Sequence, residues 1–167
     1  MKSIIINSKT HGKHEVLFDD EDENNILQYK WCVIFNCGYY YAKTSIFVNG
    51  KQYSLLMHRY ILGLNKVDGI LADHADFNGL NNQKNNIRKS TQAQNRANCK
   101  KKQGKTSKYL GVHIRKDCKI KPFRVSISVN NKTVTVGQYA NEIDAAKAYN
   151  EAAIKYHGEF ANLNIID

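Results

Sequence analysis

Residues 73–95 read DHADFNGLNNQKNNIRKSTQAQN and combine an Asp-His pair, a turn rich in glycine and asparagine, and the start of a helix. Gly79 and the asparagines around it suit a turn with left-handed backbone. Thr91, followed three residues later by Gln94, predicts a capped helix start. Asn95 is therefore expected in the first turn or so of that helix.

The Asp-His pair has the residue types that phosphodiester cleavage needs. A hard cation prefers oxygen ligands, and the Asp73 carboxylate and the Asn95 amide could supply them. His74 could take a proton from water near neutral pH, because an unperturbed imidazole has a pKa of about 6.5. Neighbouring residues of a regular strand point to opposite faces, so the pair is expected at a strand end, with the phosphate between metal and imidazole.

This stretch, together with MHRYILG at residues 57–63, resembles the HNH endonuclease motif of the phage homing type. The resemblance implies a ββα-metal core with His74 as the general base. It also implies that Asp73 and Asn95 hold a divalent metal ion, with Mg²⁺ or Mn²⁺ expected. Asn86 would be the catalytic-motif asparagine that fixes the loop geometry.

The chain departs from that family pattern at three positions. The family often has Asp and Arg where this chain has Asn81 and Gln83, and often His where Asn95 stands. An oxygen or nitrogen ligand is still available after these changes. The alternative interpretation of the pair is a structural histidine beside a solvated aspartate in an asparagine-rich loop.

The positive charge of the chain is concentrated in its middle. The 167 residues carry a formal net charge of +10, and residues 51–108 contribute 12 Lys and Arg against 3 Asp and Glu. Such a field attracts nucleic acid without regard to sequence and makes binding sensitive to salt. Double-stranded DNA is therefore the expected partner, with ordinary solubility as the alternative role of the charge.

Cysteine spacing and hydropathy argue against other classes. Four cysteines show no C-x2-C pairing, which disfavours a zinc knuckle or a disulfide framework and fits a reducing compartment. No run approaches the ~18 apolar residues of a membrane span, and the N-terminus lacks a signal-peptide core. We expect a cytoplasmic protein with no membrane partner, in the cytoplasm of the host cell if a phage encodes it.

Residues 1 to about 60 predict a β-rich region, because short aromatic or β-branched runs alternate with turns. The runs are residues 4–6, 15–18, 31–35, 39–43, 45–48 and 53–57. Asn49-Gly50 is a strong hairpin signal. The acidic residues 19–23 predict a solvated turn rather than a metal site, since consecutive carboxylates rarely converge. This region could serve as a scaffold or as a cradle for the DNA backbone.

The segment HRYILGL, residues 58–64, predicts a short helix or strand packed behind the metal site. His58 is expected to support the site or lie in the core, with a phosphate contact as the alternative. Arg59 and Arg88 are candidate phosphate clamps, because a guanidinium binds two phosphate oxygens at once. Exposed arginines without a role are the alternative.

Residues 99–108, CKKKQGKTSK, predict a flexible basic linker that follows a DNA backbone, with a merely solvated tether as the alternative. Its DNA-contacting residues are expected to include Lys100, Lys101 and Lys102. The linker divides the chain into a domain of residues 1–98, with the β-rich region and the nuclease core, and a domain of residues 109–167.

Residues 109–167 predict a three-stranded antiparallel sheet covered by one helix. The runs YLGVHIR, FRVSISV and TVTVGQY alternate apolar and polar residues and are separated by polar turns. The apolar residues between Phe123 and Val129 share one face, which should be buried. A helix capped by Asn141 and ended by Gly158 follows and can cover that face.

This half resembles the AP2 DNA-binding domain from residue 109 to residue 164, chiefly through GQYANEIDAAKAYNEAAIKYHGEFANLN. In that family the solvent face of the sheet lies in the major groove. The resemblance implies DNA contacts by His113, Arg115, Arg124, Ser126, Ser128, Thr133 and Thr135. Most base-reading arginines and the tryptophans of the plant pattern are replaced here, so the resemblance implies DNA binding but not the plant target.

Together these patterns predict an α+β protein that acts as a sequence-targeted, metal-dependent DNA endonuclease of the HNH homing type. One active site per chain favours nicking by a monomer, and a homodimer would permit double-strand cleavage. The alternative is a non-catalytic, sequence-specific DNA-binding regulator that retains a nuclease fold. An RNA-binding accessory protein is disfavoured, because the chain has no aromatic stacking motif for single-stranded RNA.

Overall fold

The computed structural model describes residues 1–64, 69–98 and 107–166, and the chain forms two compact units, Met1–Ser90 and Thr91–Asp167. The strands are β1 (Lys2–Ser8), β2 (Gly12–Phe18), β3 (Cys32–Asn36), β4 (Tyr39–Val48), β5 (Lys51–Leu56), β6 (Leu71–His74), β7 (Ile87–Ser90), β8 (Val112–Ile114), β9 (Phe123–Val129) and β10 (Lys132–Tyr139). The helices are α1 (Glu23–Leu27), α2 (Met57–Ile61), α3 (Gln92–Ala97) and α4 (Glu142–His157). The predicted mixture of helices and antiparallel strands is confirmed. The predicted DNA-contacting residues Lys100, Lys101 and Lys102 lie outside the described residues.

The first unit contains a β1–β2 hairpin, a β3–β4–β5 sheet and a β6–β7 hairpin, all antiparallel. The predicted β-rich character is confirmed, although the runs 39–43 and 45–48 form one strand, β4. The run 53–57 ends as a strand at Leu56, because Met57 begins α2. The hairpin signal is confirmed as well: Asn49 and Gly50 have φ of 51° and 74°, the left-handed backbone that a tight turn requires.

The prediction that residues 19–23 form a solvated turn is confirmed only in part, because Asp20 and Glu21 are exposed but the segment continues into a helix. Residues Asp20–Asp22 form a 3₁₀ turn that runs directly into α1, and the Asp22 side chain is buried. Ile26 of α1 is fully buried in the core of this unit with Phe18 and Met57. Because Ile26 has to reach this core, the acidic segment continues into a helix, while the Asp20 and Glu21 side chains remain in solvent.

The second unit confirms the predicted sheet and covering helix. Its strand order is β10–β9–β8, and α4 packs on the face that carries Val125 and Ile127. The Asn141 side chain caps α4 by accepting a hydrogen bond from the Asp144 backbone, and the helix ends at Gly158 with φ of 55°.

Two features of this unit go beyond the sequence predictions, which placed the helix capped by Thr91 in the domain of residues 1–98. Gly111 has φ of 67°, and a methyl group there would overlap the ring of the buried Tyr149. Helix α3 also belongs to this unit, and Arg96 Nη1 donates to Asn131 Oδ1 in the β9–β10 turn at 2.7 Å. Across both units, none of the helices within the described ranges is long and apolar enough to cross a membrane.

Candidate active site

The Asp-His pair closes the β6–β7 hairpin. Asp73 pairs with Arg88 across the hairpin, and His74, which pairs with Ile87, is the last residue of β6. The prediction that the pair lies at a strand end is therefore confirmed. Residues 75–86 connect the two strands and are called the site loop below.

Asn86 organises the end of the site loop. Its Nδ2 donates to Asp76 Oδ1 at 2.9 Å and to the Asn81 carbonyl at 2.8 Å, while its Oδ1 accepts from the Asp76 backbone at 3.0 Å. The Asn86 carbonyl accepts from the Ala75 backbone at 2.9 Å, directly after His74. The buried amide thus holds both ends of the loop together.

Asp76 is the centre of the loop, and the sequence reasoning missed it. Besides its bonds with Asn86, its carboxylate accepts from the Asn78 backbone and from Asn81 Nδ2, both at 2.8 Å. The available signal was Asp76 two residues before Asn78, because an aspartate often bonds the backbone two residues on. The hydrogen bonds of Asp76 therefore fix the conformation of the site loop.

The expectation of left-handed backbone at Gly79 is wrong. The loop residue with positive φ is Phe77, at 62°. Glycine is required at position 79 for a different reason, since a methyl group there would overlap the Tyr40 carbonyl oxygen and the Tyr41 ring. The loop therefore packs against β4 at Gly79.

Asp73 is buried and paired with Arg88. The Nε and Nη2 atoms of Arg88 donate to Asp73 Oδ2 at 3.0 and 2.9 Å. A buried carboxylate requires such a partner to offset its lost hydration. The predicted phosphate clamp at Arg88 stays a prediction, and in this structure its guanidinium binds a carboxylate of its own chain.

Two imidazole rings lie edge to face in this site. The ring centroids of His58, in α2, and His74 are 4.7 Å apart with an interplanar angle of 80°. Both side chains are buried, and His58 Nδ1 has no hydrogen-bond partner among the described residues. The expectations that His58 lies in the core or supports the site, and that its segment forms a short helix, agree with this position.

Burial sets the charge state of both rings. It lowers the pKa of His58 from 6.5 to about 3, and His74 and Arg59 act in the same direction. Burial also lowers the pKa of His74, although the neighbouring Asn82 side chain and the nearby carboxylates oppose that shift. Both imidazoles are therefore neutral at pH 7, and His74 is in the state that accepts a proton.

Two other residues were predicted to act near the pair: Arg59, which lies in the first unit, and Asn95, which lies in the second. Arg59 Nη1 donates to the Ile70 carbonyl at 2.9 Å, which anchors its guanidinium within the first unit. Asn95 lies in α3, whose predicted capping box between Thr91 and Gln94 is confirmed. It belongs to the second unit and Asp73 to the first, so the pairing of these two as ligands stays a prediction.

The predicted DNA-contacting residues of the second unit lie on the three strands and just after β8. The register pairs His113 with Arg124, Ser126 with Thr135 and Ser128 with Thr133. Arg124 Nη2 donates to Thr135 Oγ1 at 2.7 Å, and Arg115 forms an ion pair with Asp117. The side chains of His113, Arg124, Ser128, Thr133 and Thr135 are exposed, and Arg115 and Ser126 are partly buried. This face is polar and open to a ligand.

The residue types predicted to bind the metal are those that a hard cation prefers. Within residues 1–64, 69–98 and 107–166, no three His, Cys, Asp or Glu side chains are grouped as a metal cluster. The predicted donors are one carboxylate and one amide oxygen, which match the oxygen preference of Mg²⁺ or Mn²⁺, with water and phosphate completing the shell. Arg88, which donates to Asp73 Oδ2, would compete with such a cation for that oxygen.

A neutral imidazole beside a buried carboxylate, on a hairpin closed by a rigid loop, suits acid-base hydrolysis. No family model matches the chain, and no solved structure matches it. A protein of Acanthamoeba polyphaga mimivirus described as an uncharacterized HNH endonuclease is 30% identical over 142 residues, covering 83% of this chain and 72% of that protein. The chain belongs to the HNH endonuclease family, so the resemblance of residues 73–95 is confirmed at the family level.

Proposed function

We propose that this protein is a sequence-targeted, metal-dependent DNA endonuclease of the HNH homing type. The observation that carries the proposal is the Asp73-His74 pair at the end of β6, fixed by the Asn86 network, in a chain of the HNH family. A histidine that acts as a general base must be in its neutral form. Burial lowers the pKa of His74 and so keeps it in that form at pH 7.

His74 is the general base of the proposed reaction. It takes a proton from a water molecule as the water oxygen bonds to phosphorus and the bond from phosphorus to the 3′ oxygen breaks. The departing 3′ oxygen takes a proton from solvent water, so the products are a 5′ phosphate and a 3′ hydroxyl, and the proton held by His74 returns to solvent. Asp73 and Asn95 would hold a divalent ion, which would supply charge neutralisation at the phosphate and at the departing oxygen.

Asn86 and Arg88 prepare the pair for this reaction. Asn86 fixes the backbone that follows His74, so the imidazole cannot drift with a flexible loop. Arg88 orients the Asp73 carboxylate through two hydrogen bonds to one oxygen. A phosphate that approaches Asp73 would meet the Arg88 guanidinium as well, which supports the proposed second role of Arg88 as a phosphate clamp.

The second unit is proposed to bind the DNA target as an AP2-like domain. Its open sheet face carries Arg124, with Arg115 just beyond β8. The basic segment with Lys100, Lys101 and Lys102 is proposed to follow the phosphate backbone, and Arg59 to add a contact in the first unit. A monomer would nick one strand, whereas a homodimer would cut both.

The test is incubation of supercoiled plasmid with the purified protein and Mg²⁺ or Mn²⁺, with and without a chelator. The expected result is relaxed or linear DNA that disappears when the chelator is present. Duplex binding without cleavage under every metal condition would overturn the proposal. That outcome would favour the alternative of a DNA-binding regulator that retains a nuclease fold.

A further inference from the structure

The end of β2 is bonded to the site loop. The Leu17 backbone N–H donates to the Leu80 carbonyl at 2.9 Å, and the Leu17 carbonyl accepts from the Asn82 backbone at 2.8 Å. Both backbone groups of this β2 residue therefore bond to the site loop. Residues Leu17 and Asn81 form a parallel bridge at the same place. Backbone hydrogen bonds thus join the β1–β2 hairpin to the part of the site loop that precedes Asn86.

Asp19 extends this connection with its side chain. One carboxylate oxygen, Oδ2, accepts from the Lys84 backbone at 2.7 Å, and the other, Oδ1, accepts from Gln83 Nε2 at 3.3 Å. Both bonds are made to the turn that ends in Asn86. A carboxylate that accepts a backbone N–H is a strong, directional anchor.

A short chain of bonds leads from Asp19 to the candidate base. The Gln83 carbonyl accepts from the Asn86 backbone at 2.9 Å and from the Ile87 backbone at 3.0 Å. The Asn86 carbonyl in turn accepts from the Ala75 backbone, and Ile87 pairs with His74 across the hairpin. A shift of residues 83 and 84 would therefore move the backbone on both sides of the imidazole.

We propose that Asp19 is a positioning residue for the cleavage reaction: it fixes residues 83 and 84, and through Asn86 it holds His74 in place. The inference rests on the proposed nuclease function. It gives the acidic segment after β2 a role in the site that requires no contact with the substrate. Glu21 and Asp22 of this segment also form ion pairs with the Lys84 side chain, whereas Asp20 pairs with the N-terminal ammonium. A change at Asp20 therefore alters the charge of the segment without removing a bond to the site loop.

The test compares Asp19→Ala, Asp19→Asn and Asp20→Ala in plasmid cleavage with Mn²⁺. Asp19→Ala should lower kcat by about 10- to 100-fold with KM within about twofold of wild type, because a displaced base costs rate rather than binding. Asp19→Asn should recover most of kcat, since its amide oxygen still accepts from the Lys84 backbone. The matched control Asp20→Ala removes the same charge and should cut as wild type does.

Amide hydrogen exchange separates positioning from general loss of stability. In Asp19→Ala the amides of Lys84 and Asn86 should exchange faster, while that of Val16 in the hairpin stays protected. An Asp19→Ala variant that keeps wild-type kcat would overturn the proposal. So would an unprotected Lys84 amide in the wild-type protein, a measurement that needs no variant to fold. If the wild type never cuts DNA, the proposed function fails, and the exchange data still decide whether Asp19 fixes the loop.

Discussion

The two units use polar side chains in opposite ways. In the first unit Asp73, His74 and Asn86 are all buried. In the second unit Arg124 and Ser128 lie exposed on the sheet face opposite α4. Burying a polar group is costly unless it is bonded, whereas an exposed one costs little.

This difference implies a division of labour. A network of buried bonds holds reactive groups in one geometry, so changes in the first unit should alter stability and the rate of chemistry. An exposed polar face keeps its shape when one side chain changes, so substitutions in the second unit should alter affinity for DNA. Substitutions in each unit test this difference.

The largest effect is expected for His74→Ala. Removing the general base should lower the cleavage rate by about 10²- to 10⁴-fold, while affinity for duplex DNA stays nearly intact. Plasmid relaxation measures the rate, and a gel-shift assay measures the affinity. The control His113→Ala removes an exposed histidine of the second unit and should leave the cleavage rate at saturating DNA unchanged. Cutting by His74→Ala at the wild-type rate would refute the assignment of the base.

Asn86→Ala should destabilise the first unit by about 2 to 3 kcal/mol, because it deletes the three hydrogen bonds that a buried amide makes with Asp76 and Asn81. Urea unfolding measures the loss. The neighbouring Asn85 is exposed, so Asn85→Ala is the matched control and should change the free energy of unfolding by less than about 0.5 kcal/mol. Equal losses in the two variants would show that the Asn86 network does not hold the loop.

The first unit should lose stability as the pH falls below 6.5. The pKa of His58 is about 3 in the folded protein and 6.5 as the ordinary value, so the unfolded chain binds the proton more readily. The contribution of neutral His58 to the free energy of unfolding is therefore fully present above pH 6.5 and is lost as pH falls towards 3. Between pH 6.5 and 5 this amounts to about 2 kcal/mol. Urea unfolding across this range should show that loss, with a shallower pH dependence in His58→Phe.

Local signals in the sequence predicted the elements well. The Asn49-Gly50 turn, the Thr91 capping box and the Asn141 cap each depend on residues within three positions of one another, so pattern alone predicts them. The strand-end position of His74 followed from the same kind of reasoning. The family was also recognisable from residues 73–95, because the reactive residue types lie close together in the chain.

The connections that fix the site could not be predicted in this way. Asp19 and Lys84 are 65 positions apart, and nothing local to either residue indicates the other. The Asp73–Arg88 ion pair depends on the register of the β6–β7 hairpin, which a loop of twelve residues leaves open. The reason for glycine at position 79 was predicted wrongly, because a close contact with β4 and a left-handed turn both require glycine.

The smallest effect is expected for the double variant Arg115→Ala/Arg124→Ala in the second unit. If both guanidinium groups contact DNA phosphate, the slope of log affinity against log salt should become shallower by about 2, since each phosphate contact contributes about 0.9. Affinity at low salt should fall by about tenfold or more, while the cleavage rate at saturating DNA stays unchanged.

The matched control for this variant is Lys147→Ala/Lys155→Ala, which removes two exposed charges from α4 rather than from the sheet side. It lowers the net charge of the unit by the same amount, so an effect of overall charge alone would appear equally in both double variants. If the sheet face binds the duplex, only the arginine variant changes the salt slope. Identical slopes would show that the open face of the second unit does not contact DNA, and the contrast between a reactive first unit and a binding second unit would fail.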